Sequence, residues 1–157
     1  MKRRVAVATP TEAHSAPMFL EVLVYVLTAL AALVVVLTRL RLSADTSAGR
    51  LQISHRLLLV HTIAGASAWV CWVVFLAFSP DSLPGSAATG IVALGLWWLT
   101  AATGLLILAR WMPARGKHAR SAATDSWSKG PWLSVLAHAG LVTGVLVFTY
   151  AYLTTAV

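Results

Sequence analysis

Residues 57–78, LLLVHTIAGASAWVCWVVFLAF, decide the fold class, because they form an uninterrupted run without a formal charge. A helix that crosses the hydrocarbon core of a bilayer needs about 20 such residues. Three further runs of this kind lie at 19–38, 88–109 and 133–155, and Glu21 is the one formal charge within the four runs. The sequence therefore predicts an all-α fold, an integral membrane four-helix bundle with four transmembrane helices.

The composition of the chain supports this prediction. Of its 157 residues, 59% are hydrophobic and 11% are charged, and the mean hydropathy is +0.79. A soluble domain carries about 25% charged residues and about 45–50% apolar ones. The net charge is +7, but the basic residues flank apolar runs and no soluble segment presents them as a groove. We therefore expect the lipid bilayer as a partner and no nucleic acid.

Two parts of the chain differ in character. Residues 1–17 form a polar, basic leader, and residues 18–157 form one transmembrane domain. No short apolar core with a cleavage site follows the leader, so we interpret the first span as a retained signal anchor. Met18 directly precedes that span, which leaves Met1 and Met18 as alternative starts of translation. The segment SPDSLPGS at 79–86 is rich in proline, glycine and serine and predicts a tight turn.

The positions of lysine and arginine predict the orientation. Nine basic residues flank the first and third connectors, whereas the second connector and the C-terminal tail have none. The nine are Arg39, Arg41, Arg50, Arg56, Arg110, Arg115, Lys117, Arg120 and Lys129. The positive-inside rule places segments 40–55 and 111–130 in the cytoplasm and both termini outside. Arginine outnumbers lysine nine to three, which is typical of a GC-rich bacterium, so we expect the bacterial cytoplasmic (inner) membrane.

Each even-numbered span carries a histidine close to its start. His61 lies about seven residues into the second span, and His138 lies about as far into the fourth. Even-numbered spans run in the same direction, so the two imidazoles should lie at similar depth, near the cytoplasmic third of the membrane. Each half of the chain thus has a basic connector followed by a helix with an early histidine, a pattern that suits two tandem hairpins.

Small residues accompany His61 on one face of its helix. At about 100° per residue, that face carries His61, Ala64, Gly65, Ala68 and Trp72. Small side chains allow another helix or a flat cofactor to approach closely, and they mark the protein-facing side of a membrane helix. We therefore expect the His61 side chain to face the interior and the small residues to serve helix packing.

The fourth span carries a second set of small residues. Gly140 and Gly144 form a Gly-x-x-x-Gly pair that projects from nearly the opposite face to His138. Such pairs allow the backbones of two membrane helices to approach closely. We expect this pair to serve helix packing, either within the chain or in self-association.

A polar side chain inside hydrocarbon costs free energy unless it finds a partner, so both histidines are candidates for a functional site. Two facing imidazoles suit axial ligation of a b-type haem, with Trp72, Trp97 and Trp98 as flat apolar walls. Zinc or copper would want a third or fourth ligand, and no convincing one is present at that level. Alternatively, each histidine forms a hydrogen bond to a serine, threonine or carbonyl on another helix. Haem b is thus the one candidate cofactor, with no metal beyond its iron.

The segment LLLVHTIAGASAWV at 57–70, together with the second histidine-bearing helix, resembles small multi-pass haem-associated membrane proteins of the b-type cytochrome kind. This resemblance covers that segment and a few residues around His138, and it implies an electron-transfer role. Four-helix dihaem cytochromes carry two pairs of histidines near opposite membrane faces. This chain lacks an outer pair, so it could hold one haem at most, which puts transmembrane electron transfer by this chain alone in doubt.

Other classes of function need features that this sequence does not display. A hydrolase or transferase needs a nucleophile, a base and an orienting acid, and no intramembrane carboxylate stands near either histidine. Transporters usually have broken helices or buried charges at mid-membrane. The expected function is therefore an accessory or assembly subunit that binds other membrane proteins. A haem-binding electron-transfer protein that uses His61 and His138 is one alternative, and a small transporter is another.

The predicted orientation can be tested by cysteine labelling from outside the cell. We expect Ser82→Cys to react with a membrane-impermeant reagent and Ala122→Cys to be protected, because the basic connectors should stay in the cytoplasm. Labelling at Ala122→Cys without labelling at Ser82→Cys would reverse the topology.

Overall fold

Four helices make up almost all of the part of the chain that the structure describes. The computed structural model describes residues 10–44, 54–111 and 131–157. The helices are α1 (Pro10–Ala44), α2 (His55–Ala77), α3 (Ala87–Trp111) and α4 (Pro131–Leu153). These three ranges contain no β-strand, so the all-α prediction is confirmed.

Each helix contains a stretch long and apolar enough to cross a membrane. These stretches are Met18–Val35, Arg56–Ala77, Ala87–Ala109 and Val135–Leu153. They fall on the four predicted runs, so the prediction of four apolar helices is confirmed. The segments 40–55 and 111–130, which we expect in the cytoplasm, lie largely outside the described residues, and their orientation stays a prediction.

A short turn joins α2 to α3, as the composition of residues 79–86 predicts. Pro80 prevents α2 from continuing beyond Ala77, because proline offers no backbone N–H and restricts the residue before it. The Ser82 amide donates to the Ser79 carbonyl (2.9 Å), and the Gly85 amide donates to Ser82 Oγ (3.2 Å). A Cβ at Gly85 would overlap the carbonyl oxygens of Phe78 and Ser79. Glycine is therefore required where the chain folds back on itself.

The helices follow one another around a common interior. The largest interface joins α2 and α3, the next joins α3 and α4, and α1 makes smaller interfaces with α4 and α2. This order places α2 and α4 on opposite sides of the interior. Side chains that project inward from α2 and α4 can therefore meet across it.

Aromatic side chains fill the half of the interior nearest the turn at 79–86. The Trp72 ring stacks on the Phe148 ring with centroids 4.8 Å apart, and the Trp97 and Phe148 centroids are 5.7 Å apart. All three are buried, together with smaller residues of every helix. The buried hydrophobic cluster consists of Val24, Ala68, Trp72, Ala93, Leu94, Trp97, Val145, Phe148 and Ala151.

Thr28 anchors α1 to α2 through two indole groups. Trp69 Nε1 donates to the Thr28 carbonyl (3.1 Å), and Trp72 Nε1 donates to Thr28 Oγ1 (3.2 Å). The Thr28 hydroxyl in turn donates to the Val24 carbonyl (2.8 Å). An indole N–H without a partner costs free energy when it is buried, so this one threonine stabilises the contact by accepting from two donors.

The small residues predicted to serve packing differ in their surroundings. Ala64 and Ala68 are 4% and 0% exposed, and a Cβ at Gly65 would lie 3.2 Å from Thr100 Cγ2 on α3. By contrast, a Cβ at Gly140 or Gly144 would have nothing within 4 Å. The α2 face thus contacts α3 closely, whereas the glycine pair of α4 contacts no described residue in this way, and its role stays a prediction.

We expect Gly65→Leu to destabilise the protein by about 1–3 kcal/mol, because the added side chain must displace Thr100 or the backbone of α3. The matched control is Gly95→Leu, since Gly95 is exposed on α3 with nothing within 4 Å of a Cβ. Thermal unfolding in detergent measures both variants. Equal melting temperatures would mean that the Gly65 face is not held against another helix.

Candidate functional site

The structure brings His61 and His138 together across the interior. The centroids of the two imidazole rings are 6.4 Å apart, and the ring planes are inclined by 25°. His61 is the seventh residue of α2 and His138 the eighth of α4, so equal depth on two helices of the same direction accounts for the meeting. The pair lies in the half of the interior away from the aromatic cluster.

The Nδ1 atom of His61 is bound to α3. It lies 3.1 Å from the Thr100 carbonyl oxygen and 3.2 Å from Thr103 Oγ1. A carbonyl only accepts, and the Thr103 hydroxyl already donates to the Leu99 carbonyl (2.8 Å). Nδ1 must therefore carry the proton in the neutral ring, which leaves the lone pair on Nε2. A metal-binding histidine is commonly oriented in this way, by a carbonyl that accepts from its other nitrogen.

Gly104 brings the backbone of α3 close to both rings. A Cβ at this position would lie 3.0 Å from His61 Cε1, and 2.9 and 3.1 Å from His138 Cδ2 and Nε2. Real Cβ atoms seldom approach other atoms this closely, so any side chain here would displace one ring or the other. The absence of a side chain at Gly104 is therefore a condition for the observed arrangement.

The separation of the rings suits two ligands of one metal ion. With a metal–nitrogen bond of about 2.0 Å on each side, the centroids of two imidazoles opposite each other lie roughly 6 Å apart. No cluster of three or more histidine, cysteine, aspartate or glutamate side chains occurs among the residues that the structure describes. The pair therefore offers two imidazole groups as ligands, one from α2 and one from α4.

The residues present fit part of what a b-type haem needs. Two imidazoles from different helices would supply ligands for its iron, and Gly104 has no side chain in the space beside both rings.

The tryptophans predicted as walls of the site lie elsewhere. Trp97 precedes Gly104 by two helical turns, or about 10 Å, and Trp72 follows His61 by about 16 Å along α2. Both pack on Phe148 in the aromatic cluster. Trp98 is 42% exposed and donates its indole N–H to Thr149 Oγ1 (3.2 Å), so its predicted place beside the histidines is wrong.

The residues that sequence reasoning missed all lie on α3. Thr100, Thr103 and Gly104 are spaced by three and four residues, which places them on one face of a helix. His61 lies 16 residues before Ala77 at the end of α2, and Thr103 lies 16 residues after Ala87 at the start of α3. In an antiparallel hairpin with a short turn, equal distances from the turn place residues side by side. That signal could have identified them.

Comparison with known proteins gives no match to a protein family, to a curated protein or to a solved structure. The functional argument therefore depends on the geometry of the histidine pair.

We expect the neutral His61 ring to carry its proton on Nδ1, because Nδ1 faces a carbonyl oxygen. Nitrogen NMR of histidine side chains distinguishes the two neutral tautomers, and His61→Ala assigns the signal. A proton on Nε2 would contradict the hydrogen bond to Thr100.

Proposed function

We propose that this chain is an integral membrane protein of four spans that holds one metal centre between His61 and His138. The observation that carries the proposal is the separation of the two rings, 6.4 Å between centroids, together with the Nε2 lone pair of His61. Polar side chains inside a membrane protein are costly and mark functional sites by default. The proposed location is the cytoplasmic membrane of a bacterium, with both termini outside.

A purely structural role accounts for only part of the geometry. The bond from His61 Nδ1 to Thr100 satisfies one nitrogen of His61 and joins α2 to α3. That bond concerns His61 alone and assigns no role to His138 on α4. Nor does it explain a glycine at position 104, where a side chain would collide with both rings.

The charges in the spans favour a metal ligated by neutral groups. Glu21 is the one acidic residue in the four apolar stretches. It lies near the start of the apolar stretch Met18–Val35 of α1, and the antiparallel order of the helices puts that end opposite the histidines. No carboxylate of the spans therefore competes with a metal for the imidazoles or forms an ion pair with them.

Haem is one form that the metal could take, and electron transfer would then be the function. A bound haem would supply an iron that accepts and returns one electron. His61 and His138 would hold that iron, with Thr100 keeping the His61 ring oriented.

A second candidate is an accessory or assembly subunit that binds other membrane proteins or a second copy of this chain. The observation that favours it is the exposure of Glu21 on α1, in a stretch of which 11% is buried. A carboxylate directed outward from an apolar helix is costly in lipid, and a partner chain with a basic group would relieve that cost. We do not propose the transporter alternative, because the four stretches are continuous helices, whereas many transporters bind substrate at broken ones.

We expect the purified protein to bind one equivalent of a metal centre and to lose it on substitution of either histidine. The panel is haem, a copper ion and a zinc ion, each offered separately, with binding followed by absorption spectroscopy and by metal analysis after gel filtration. His61→Ala and His138→Ala should each lower the affinity by more than about tenfold. His55→Ala is the matched control, because it removes a histidine from the first residue of the same helix.

A wild-type protein that stays folded and binds none of the three would overturn the proposal and leave the accessory subunit as the better account. Equal binding by wild type and both alanine variants would place the metal elsewhere.

A further inference from the structure

A groove of about 250 Å³ lies between α1 and α2 and is open to the surroundings of the helices. Its lining consists of Tyr25, Thr28 and Ala29 on α1 and of four side chains from Trp69 to Ala77 on α2. The carbonyl and hydroxyl of Thr28 already accept the indole N–H groups of Trp69 and Trp72. Apart from the Tyr25 hydroxyl, the remaining lining side chains are apolar. The groove therefore suits an alkyl chain, which needs no hydrogen-bond partner.

The carboxylate of Glu21 lies on the side of α1 that carries this groove. At about 100° per residue, Glu21 falls between Thr28 and Tyr25 in a view along the helix axis. Thr28 and Tyr25 both line the groove, and Glu21 is exposed. A negatively charged group thus stands one helical turn beyond Tyr25, on the same side of the helix.

The depth of Glu21 follows from the contact between the two helices. The hydrogen bond from Trp69 Nε1 to the Thr28 carbonyl puts these two residues at one level. Glu21 lies seven residues from Thr28, or about 10 Å, and Leu76 lies equally far from Trp69 in the same direction. The apolar stretch of α2 ends at Ala77. Glu21 is therefore level with the end of that stretch, where lipid headgroups begin, and it stands at the mouth of the groove.

The distribution of charge favours a cationic group at this mouth. In residues 10–44, 54–111 and 131–157, the lysines and arginines all stand at the opposite ends of the helices. These residues are Arg39, Arg41, Arg56 and Arg110. A carboxylate repels an anionic headgroup and accepts charge-assisted hydrogen bonds from an ammonium group. The headgroup that complements Glu21 is thus one with a primary amine.

The size of the groove favours a lipid chain over a partner helix. One turn of a helix with its side chains is about 10 Å across and 5.4 Å long, so it occupies roughly 400 Å³. The whole groove measures about 250 Å³. It can therefore hold a single extended chain along the two helices but not a third helix between them.

We propose that this groove binds one acyl chain of a phospholipid whose headgroup carries a primary ammonium, as in phosphatidylethanolamine, and that Glu21 binds the ammonium. A choline headgroup has no N–H to donate, and a glycerol headgroup leaves the net negative charge of the phosphate beside Glu21. The inference goes beyond the proposed metal centre and does not depend on it, because the groove and the histidine pair share no residue.

The test uses phosphatidylethanolamine with a photoreactive group in its acyl chain, added to the full chain in detergent micelles. Basic connectors attract anionic lipids, so only cross-links to the α1 and α2 segments of the groove are compared. Unlabelled phosphatidylethanolamine, phosphatidylglycerol and phosphatidylcholine with identical acyl chains then compete for this site. We expect phosphatidylethanolamine to compete about three- to fivefold more effectively than either of the others.

Variants separate the headgroup contact from the space for the chain. Glu21→Gln should retain the cross-link and lose the preference, whereas Asp81→Asn, which removes a charge in the turn at the same end of the helices, should keep it. Ala29→Trp should abolish the cross-link by filling the groove. Its matched control is Ala102→Trp, because Ala102 is an exposed alanine of α3 outside the lining. Ala77→Phe fills the groove from α2 and replaces Ala29→Trp if thermal unfolding shows that the latter does not fold.

Three results would overturn the inference. Equal competition by the three lipids would refute the role of the headgroup, and an undiminished preference in Glu21→Gln would refute the role of Glu21. Cross-links that survive in a folded groove-filling variant would place the lipid elsewhere. A groove that cross-links to a second copy of the chain instead of to lipid would assign this face to self-association. None of these results bears on metal binding by His61 and His138.

Discussion

The close approach of α2 to α3 is the constraint on which the site depends. Apolar surface gives no net drive for helices to associate within lipid, so packing and hydrogen bonds between helices must hold them together. Gly65 permits the close approach of the two helices, and the hydrogen bond from His61 on α2 to the Thr100 carbonyl on α3 joins them. Because that bond uses the proton on Nδ1, the lone pair of the neutral ring is left on Nε2. Helix packing and the chemistry of His61 thus have the same cause.

Much of the fold could be predicted from the sequence, because length and apolarity alone identify helices that can cross a membrane. The pairing of His61 with His138 could also be anticipated, since it follows from equal depth on helices of the same direction. The rotation of each helix was harder to predict. A span that is apolar on every side carries little information about which face turns inward, and this explains the wrong placement of Trp98.

The small residues of these spans also do not reveal, from sequence alone, which face of a helix turns inward. Gly65 and the pair Gly140 and Gly144 look alike as packing signals, yet only Gly65 faces a neighbouring helix closely. The decisive residue of the site, Gly104, carries no local signal beyond being a glycine in an apolar helix. Its importance arises from two side chains that come from other helices, 43 and 34 residues away along the chain, and no pattern within α3 records them.

The short turn between α2 and α3 has a consequence for the order of assembly. A connection of about ten residues closes at little cost in chain entropy, and it joins the two helices that share the largest interface. This hairpin should therefore form as soon as both helices have entered the bilayer, before α4 has been synthesised. His61 would then be oriented by Thr100 while its counterpart is still absent, and the arrival of α4 would complete the pair as the final step of folding.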